Sequence, residues 1–508
     1  MAIADRTYTL SPEAQRMIDD ASCFIDGRWE RGEGPETTKL NPTTGQPLGR
    51  FSAAGSGQVQ RAVQAAHRAH TEGVWSRVDP AERSATLFRL AKLMEDNAEL
   101  LKEVVVADVG SPISLAQSLQ LEGALFNVRW FAGAASRGPD GWYEQGMTID
   151  EPVGGTHPGL ASTGILVREP IGVVAAITAY NFPFTLAIWK MGGALAAGCT
   201  VVLQPSPRAT LSTVALWRLI EQLELPAGVV NLVLGDAEVG RQLTTHPLVD
   251  MVSFTGSDKV GGEVMAQAGR SIKKVVLELG GKSANILLPG TDVKAAVAPS
   301  LLRLVTNAGQ RCGATSRIFV HDADYDAFTE AARDYWDQLI TGDPRDPATI
   351  VGPLIDERHR EFVQSHISRA LEDGANVVAG GADPPSELSG GFFVSPLLLG
   401  GLANDSEFCQ EEQFGPVGAV LRYSNVEEAI ALANASRYGL NANVFGPTPE
   451  AIRVARRIKA GNVTVNGGGR IRPDAPWGGY GHSGVGREAG NEGFREFFEI
   501  KHIQWPIR

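Results

Sequence analysis

The sequence predicts an α/β fold built on a doubly wound parallel sheet, and three observations predict it. Between about residues 171 and 270, short apolar runs rich in Val, Ile and Ala alternate with helical stretches. A second alternation of the same kind begins near residue 283. The chain has 508 residues, 43% of them hydrophobic and 20% charged, enough for two or more cores of ordinary globular composition.

The elements follow in order. Over residues 57–107, Ala, Val, Leu and Phe recur at three- and four-residue spacing with charges between them, which predicts helices. Asp79-Pro80-Ala81-Glu82 reads as a helix start, with Asp79 as the cap and Pro80 in the first turn. Residues 149–169 lack helical periodicity and carry several Gly and Pro, so an extended ribbon or loop is expected. Strands are then predicted at 171–177, 200–203, 229–234 and 251–254, with helices at 184–197, 212–223, from about 237 and from about 258. This repetition is of the Rossmann kind. No Gly-x-Gly-x-x-Gly follows any of these strands, so a dinucleotide would have to bind without the standard fingerprint. In the second alternation, 284–288 and 316–320 read as strands, and 292–307 and 323–340 as helices. The tail 497–505 alternates apolar and polar residues, as an edge strand does.

Composition excludes several classes. A formal net charge of −12 argues against nucleic acid or an anionic membrane surface as partner. The opening MAIADRTYTL has no apolar core behind a basic start, so a cytoplasmic location is expected. The uncharged run 171–189 approaches membrane-span length, but Asn181 and Pro183 interrupt it; a buried strand, a turn and a helix start explain it better. Four scattered cysteines without Cys-x-x-Cys predict reduced thiols. Nine histidines without His-Glu-x-x-His predict no metal site.

Two segments carry the chemistry. Cys312 sits in Gly309-Gln310-Arg311-Cys312-Gly313-Ala314, in the connection between a helix and the next strand. A lone Cys is most often a buried inert thiol, but flanking glycines let a substrate approach closely. Glu278 ends the apolar stretch Val275-Val276-Leu277 and precedes Gly280-Gly281. Burial at such a junction raises a carboxyl pKa into the range of a general base. Asn181, in Tyr180-Asn181-Phe182-Pro183, falls beyond the carboxyl end of a predicted strand. It is either a turn Asn or an amide donor to a developing oxyanion. Phe254-Thr255-Gly256-Ser257 joins a strand to a helix, as a plain turn or as a pyrophosphate-binding helix start. Glu411-Glu412-Gln413-Phe414-Gly415-Pro416 is either solvated surface or a grip on ribose hydroxyls.

In order and spacing these motifs resemble the aldehyde dehydrogenase superfamily. The resemblance runs from Phe24-Ile25-Asp26-Gly27-Arg28-Trp29 to Gly484-Val485-Gly486-Arg487-Glu488, nearly the whole chain. It implies Cys312 as nucleophile, Glu278 as general base, and Asn181 with the Cys312 N–H as oxyanion hole. It places Lys190 and Glu488 in the proton and water network near Glu278. NAD, with NADP as the alternative, would lie against Ile177, Thr178, Tyr180, Gln204, Ser206, Pro207, Gly235, Gly256, Ser257, Leu279, Gly280, Glu412 and Phe414. Phe182, Trp189, Trp130, Phe131 and Trp477 would line the access tunnel, unless they are core aromatics.

The implied reaction oxidises an aldehyde to a carboxylic acid through a Cys312 thiohemiacetal and thioester, with hydride transfer to NAD(P). A medium-sized aromatic or aliphatic aldehyde is expected. Arg311 and Arg470 leave a semialdehyde open, and a cofactor-independent thioester or ester hydrolase is the other alternative. The implied domains are cofactor-binding (1–148 and 170–280), catalytic (281–483) and an oligomerisation ribbon with C-terminal strand (149–169 and 484–508). That ribbon implies a homodimer or homotetramer.

Three departures stand out. The family commonly has Lys at Gln204 and, in NAD-preferring members, Glu at Pro207. Losing the acid removes repulsion against a 2′-phosphate, while losing the Lys removes attraction for one. Tyr180 stands where many members have Trp.

Overall fold

The computed structural model describes residues 3, 8–147, 162–381, 383–468 and 472–507. Five strands of the first alternation lie side by side and parallel, in the order Val230–Leu232, Thr200–Gln204, Val173–Ile177, Met251–Thr255 and Lys274–Glu278. Antiparallel Cys23–Ile25 and Arg28–Glu30 extend one edge and Gly484–Val485 the other, giving eight strands. The strands read as unbroken apolar runs because helices cover both faces. Every residue of Val173–Ile177, Thr200–Gln204 and Met251–Thr255 is buried.

Register brings the carboxyl ends of these strands to one edge. Ile177 pairs with both Gln204 and Phe254, and Thr255 pairs with Glu278. From Val173–Ile177 the chain adds Thr200–Gln204 and Val230–Leu232 on one side. It then returns to add Met251–Thr255 and Lys274–Glu278 on the other. Such a reversal opens a crevice beyond the strand ends, where ligands bind in open α/β sheets.

The second alternation forms a seven-stranded sheet ordered Asn376–Gly380, Leu397–Gly400, Val417–Tyr423, Arg317–His321, Ala284–Leu287, Asn441–Phe445, Asn462–Val465. Only Asn376–Gly380 runs antiparallel. Its apolar cluster, drawn from 284–460, is separate from the one around the first sheet.

The helical stretch near the N-terminus is three helices, Ser56–Thr71, Pro80–Asp96 and Ala98–Val109. Asp79 caps the second, accepting from the Ala81 N–H at 2.7 Å, with Pro80 in its first turn. The tail strand Phe498–Pro506 is an edge strand, paired along its length with Ser162–Pro170. Of the ribbon expected at 149–169, residues up to 161 lie outside the described residues. The uncharged run near 180 forms a strand and a helix start, and no described helix is long and apolar enough to cross a membrane.

Two elements differ in detail from expectation, both beside the cleft. The helix over 183–197 contains a π-helical turn, Ile188–Gly192, which carries Trp189 and Lys190. The helix predicted to 307 stops at Val305. Asn307, Ala308 and Gly309 then take left-handed conformations, with φ of +58°, +53° and +72°. The sequence pattern stays helical there, but buried side-chain hydrogen bonds of Asn307 hold the turn open.

Candidate active site

One cleft of about 930 Å³ follows the carboxyl edge of the first sheet and reaches the Cys312 loop. Ile177, Thr178, Tyr180, Gln204, Ser206, Pro207, Gly256, Ser257, Leu279, Gly280, Glu412 and Phe414 line it, together with Asn181, Cys312, Phe182, Trp189 and Trp477. Glu278, Lys190 and Glu488 are buried behind this wall, and Gly235 meets it only through its carbonyl, which accepts from Gln204. Trp130 and Phe131 are not cleft residues. Gly123, Phe126 and Asn127 of helix Glu122–Ala135 face the cleft, whereas Trp130 packs edge-on against Phe131 and Phe494 in the core. Arg470 lies outside the described residues.

Cys312 is half-buried on its loop. Burial pushes its thiol pKa up to about 12; the Glu278 and Glu412 carboxyls add to the rise and Arg311 opposes it. The loop is braced at Gly309, where a Cβ would run into the backbone of Gly415. This contact ties the Cys312 loop to the loop that carries Glu412 and Phe414.

Asn181 is buried at the end of the strand that precedes it. Its side-chain amide donates to the Gln310 carbonyl at 3.0 Å, one loop position from Arg311-Cys312. Its own carbonyl accepts from Gln120 Nε2 at 2.8 Å and Asn307 Nδ2 at 3.2 Å. Ser111 closes the network, donating to Asn307 Oδ1 at 2.8 Å and accepting from Gln120 at 3.1 Å.

Glu278 ends strand Lys274–Glu278 and is buried, with neither carboxyl oxygen hydrogen-bonded among the described residues. Burial, reinforced by Glu488, holds its pKa well above the usual carboxylate range, against the pull of Lys190 and Arg487. A Cβ on Gly478 would come within 2.6 Å of Glu278 Oε1, so only glycine leaves that carboxyl its space. Lys190 Nζ lies 2.5 Å from Glu488 Oε1 and 3.0 Å from Ser253 Oγ, which in turn donates to Glu488 at 3.0 Å. Glu488 is also joined to the cleft: its backbone exchanges hydrogen bonds with Trp477, whose ring lies 6.1 Å from that of Trp189.

The two adjacent acids have separate fates. Glu411 is clamped by Arg437 through two 2.7 Å bonds. Glu412 turns into the cleft, accepts from the Gly281 N–H at 2.9 Å, and is raised by burial to a pKa of about 7. Phe414 takes φ +55° and sets its ring edge-on to Tyr180. His359 stacks on Phe362, bonds the Phe414 carbonyl at 2.8 Å and lines the cleft; burial lowers its pKa. Ser257 caps helix Asp258–Gly269 by accepting from the Val260 N–H at 3.3 Å. Gln204 spends its Nε2 on the carbonyls of Gly235 and Asp236, at 3.0 and 2.7 Å.

His359, Ser253, Gln120, Ser111 and Asn307 escaped the sequence reading. Ser253 alone left a trace, a hydroxyl inside the apolar strand Met-Val-Ser-Phe-Thr.

A thiol, a side-chain amide and a buried high-pKa carboxyl thus converge on a cleft of the size and place that suit a dinucleotide and a small substrate. The chain belongs to the aldehyde dehydrogenase family, whose profile matches residues 29–503. It is 37% identical to the Bacillus subtilis protein DhaS over 483 residues, covering 94% of each chain. Among solved structures, it superimposes on Staphylococcus aureus betaine aldehyde dehydrogenase in complex with NAD+ with a TM-score of 0.91 and 33% identity, covering 97% of this chain and 96% of that one. A Burkholderia cenocepacia homologue gives a TM-score of 0.90 at 36% identity, covering 95% and 97%.

Proposed function

We propose that this oxidoreductase converts an aldehyde to a carboxylic acid with NAD as cofactor, and that Cys312 is the nucleophile. The observation that carries the reading is the convergence of Cys312, Asn181 and Glu278 at the carboxyl edge of the first sheet. The cleft fits a dinucleotide. The hydroxyls of Thr178 and Thr255 are buried on its wall without partners among the described residues, and the N-terminus of helix Asp258–Gly269 opens onto it at Ser257. Glu412 and Phe414 would hold the nicotinamide ribose, and Gln204, Ser206 and Pro207 the adenosine end. When bound, the cofactor supplies the hydride acceptor.

NAD is favoured over NADP because, among the described residues, no free cation stands at that end. Gln204 is neutral and tied to two carbonyls, Arg208 pairs with Asp356 at 2.8 Å and stacks over Tyr180, and Arg241 pairs with Glu238. The S. aureus relative solved with NAD+ agrees.

The protein groups divide the remaining work. A thiol with a pKa near 12 must lose its proton as it attacks the carbonyl carbon, and the raised Glu278 carboxyl makes it an effective acceptor. The Asn181 amide, now on the Gln310 carbonyl, turns to the oxyanion of the thiohemiacetal. After oxidation the thioester remains on Cys312. Glu278 releases the proton it took from the thiol to solvent and then takes one from water, whose oxygen attacks the thioester carbonyl; collapse expels the Cys312 thiolate, which recovers that proton as the acid leaves.

The presence of two separate apolar clusters supports the domain division expected from the resemblance, and we adopt it as part of this reading. Edge strand Phe498–Pro506 exposes Ile500, Ile503 and Trp505, which favours pairing of copies into a dimer or tetramer.

The test is absorbance at the reduced-nicotinamide band with a panel of aldehydes, run separately with NAD and NADP. Turnover should be faster with NAD and be abolished by Cys312→Ala. Persistent oxidation in that variant would refute the nucleophile.

A further inference from the structure

A cation stands next to the nucleophile, and no described residue balances it. Arg311 lines the cleft immediately before Cys312. Its backbone is engaged, donating to the Gly309 carbonyl and accepting from the Ala314 N–H. Its guanidinium has no carboxylate and no hydrogen-bond acceptor among the described residues. The other arginines at this face are spent: Arg208 on Asp356, Arg437 on Glu411 and Asp258, and Arg317 on backbone carbonyls and Asn404. Beyond Cys312, the charged group that Arg311 feels is another cation, Arg303, whose guanidinium is turned to the Gly467 carbonyl. Glu412 accepts from the Gly281 N–H, and neither Glu412 nor Glu278 is paired with Arg311 among the described residues.

A partly desolvated guanidinium without a counter-ion is costly, and an anionic ligand removes that cost. Its planar fork suits a carboxylate, which it can hold through two parallel bonds. The same cleft carries apolar side chains, among them Leu115, Leu119, Phe126 and Trp477. We propose that the substrate is an aldehyde that also carries a carboxylate on a short aliphatic body, with the carboxylate paired to Arg311 while the aldehyde carbon meets Cys312. This rests on the aldehyde oxidation proposed above and leaves its chemistry unchanged. Arg311 and Cys312 line the same cleft, so both ends of the substrate are read in one cavity, which selects a short oxo acid over a long fatty aldehyde.

The experiment compares kcat/KM for aldehydes of matched length ending in methyl or in carboxylate, in the wild type, Arg311→Gln and Arg311→Lys, with thermal midpoints recorded for all three. The wild type should prefer the carboxylate. Arg311→Gln should lower kcat/KM for the carboxylate about 30- to 1,000-fold more than for the methyl compound, the range for stripping one partner from a buried charge pair. Arg311→Lys, which keeps the charge without the fork, should fall between. Calorimetric titration with glutarate, which cannot react, gives a second readout: binding to the wild type, lost in Arg311→Gln. A wild type that handles the methyl compound as well as the carboxylate, or an unchanged ratio in Arg311→Gln, overturns the proposal and leaves aldehyde oxidation standing. Failure of every aldehyde in the panel sinks both.

Discussion

Replacing Lys190 with Met tests whether the buried pair behind the cleft tunes Glu278. The Lys190 ammonium lies 2.5 Å from Glu488, bonds Ser253, and pulls the Glu278 pKa down against burial and the Glu488 carboxyl. At that separation and an effective dielectric of about 20, the gross attraction is about 7 kcal/mol. Much of it is offset by desolvation, and removing one partner of a buried pair costs a net of about 3–5 kcal/mol because the other charge stays buried. Met retains most of the aliphatic volume, so the loss is one of charge. The pH dependence has a definite sign. The folded pKa of Glu278 is raised above its unfolded value, so its contribution to stability is complete below the unfolded pKa and is lost as pH rises through the folded one. Lys190→Met raises the folded pKa further. The deficit against the wild type should therefore be larger at mildly alkaline than at mildly acid pH. The same shift moves the acid limb of the kcat/KM–pH profile to higher pH, because Glu278 acts as base only when ionised. Thermal midpoints at the two pH values and the full rate profile decide it. An acid limb that coincides with the wild type's, or a deficit that grows toward acid pH, would refute the coupling of Lys190 to Glu278.

Three further outcomes are expected. Glu278→Gln should slow the first-turnover burst of reduced cofactor, because the thiol loses its proton acceptor, and should slow the steady state about 100-fold or more, since general-base catalysis contributes at least that much; an unslowed steady state removes Glu278 from the role. The Glu412 carboxyl is held at a pKa of about 7, so binding of reduced NAD, followed by fluorescence, should tighten as pH rises through that value and lose the dependence in Glu412→Gln; a pH-flat wild type contradicts a ribose-gripping carboxylate. Gly309→Ala should lose about 2–4 kcal/mol, from a left-handed backbone and a Cβ driven into Gly415, and should change the rate at which the Cys312 thiol is alkylated; a wild-type midpoint would show that the two loops do not lock there.

The central strands of the first sheet, Val173–Ile177, Thr200–Gln204 and Met251–Thr255, were legible because each is buried on both faces and so reads as a short unbroken apolar run, the last of them followed by the helix cap Ser257. Cys312, Glu278 and Asn181 were legible because each sits where the backbone turns at glycine or proline beside a strand or helix end. Of the aromatics expected at the access tunnel, Phe182, Trp189 and Trp477 line the cleft and Trp130 does not, for a geometric reason. Residues 123, 126 and 127 share a helix face with 130, and that stripe runs out of the cleft and into the core at the last turn. Periodicity gives the face of a helix but not where along the face a cavity ends.

The residues that went unseen share a different cause. Gln120 and Ser111 share one segment while Asn307 comes from a distant one, and each is unremarkable in its own segment; they matter only because folding places them around the Asn181 carbonyl. Asn307 is the most telling. Its segment has helical periodicity, yet the chain leaves the helix at Val305 and holds three consecutive residues left-handed. Each such residue other than glycine costs about 1–2 kcal/mol. The buried bonds of Asn307 to Ser111, Asn181 and Gln310 offset that strain. The turn they stabilise is what swings the following residues, Arg311 and Cys312, out of the helix line and into the cleft. The strain and the position of the thiol therefore have one origin. Local sequence preference pulls toward helix at this point, and the active-site loop exists because a tertiary hydrogen-bond network overrides it.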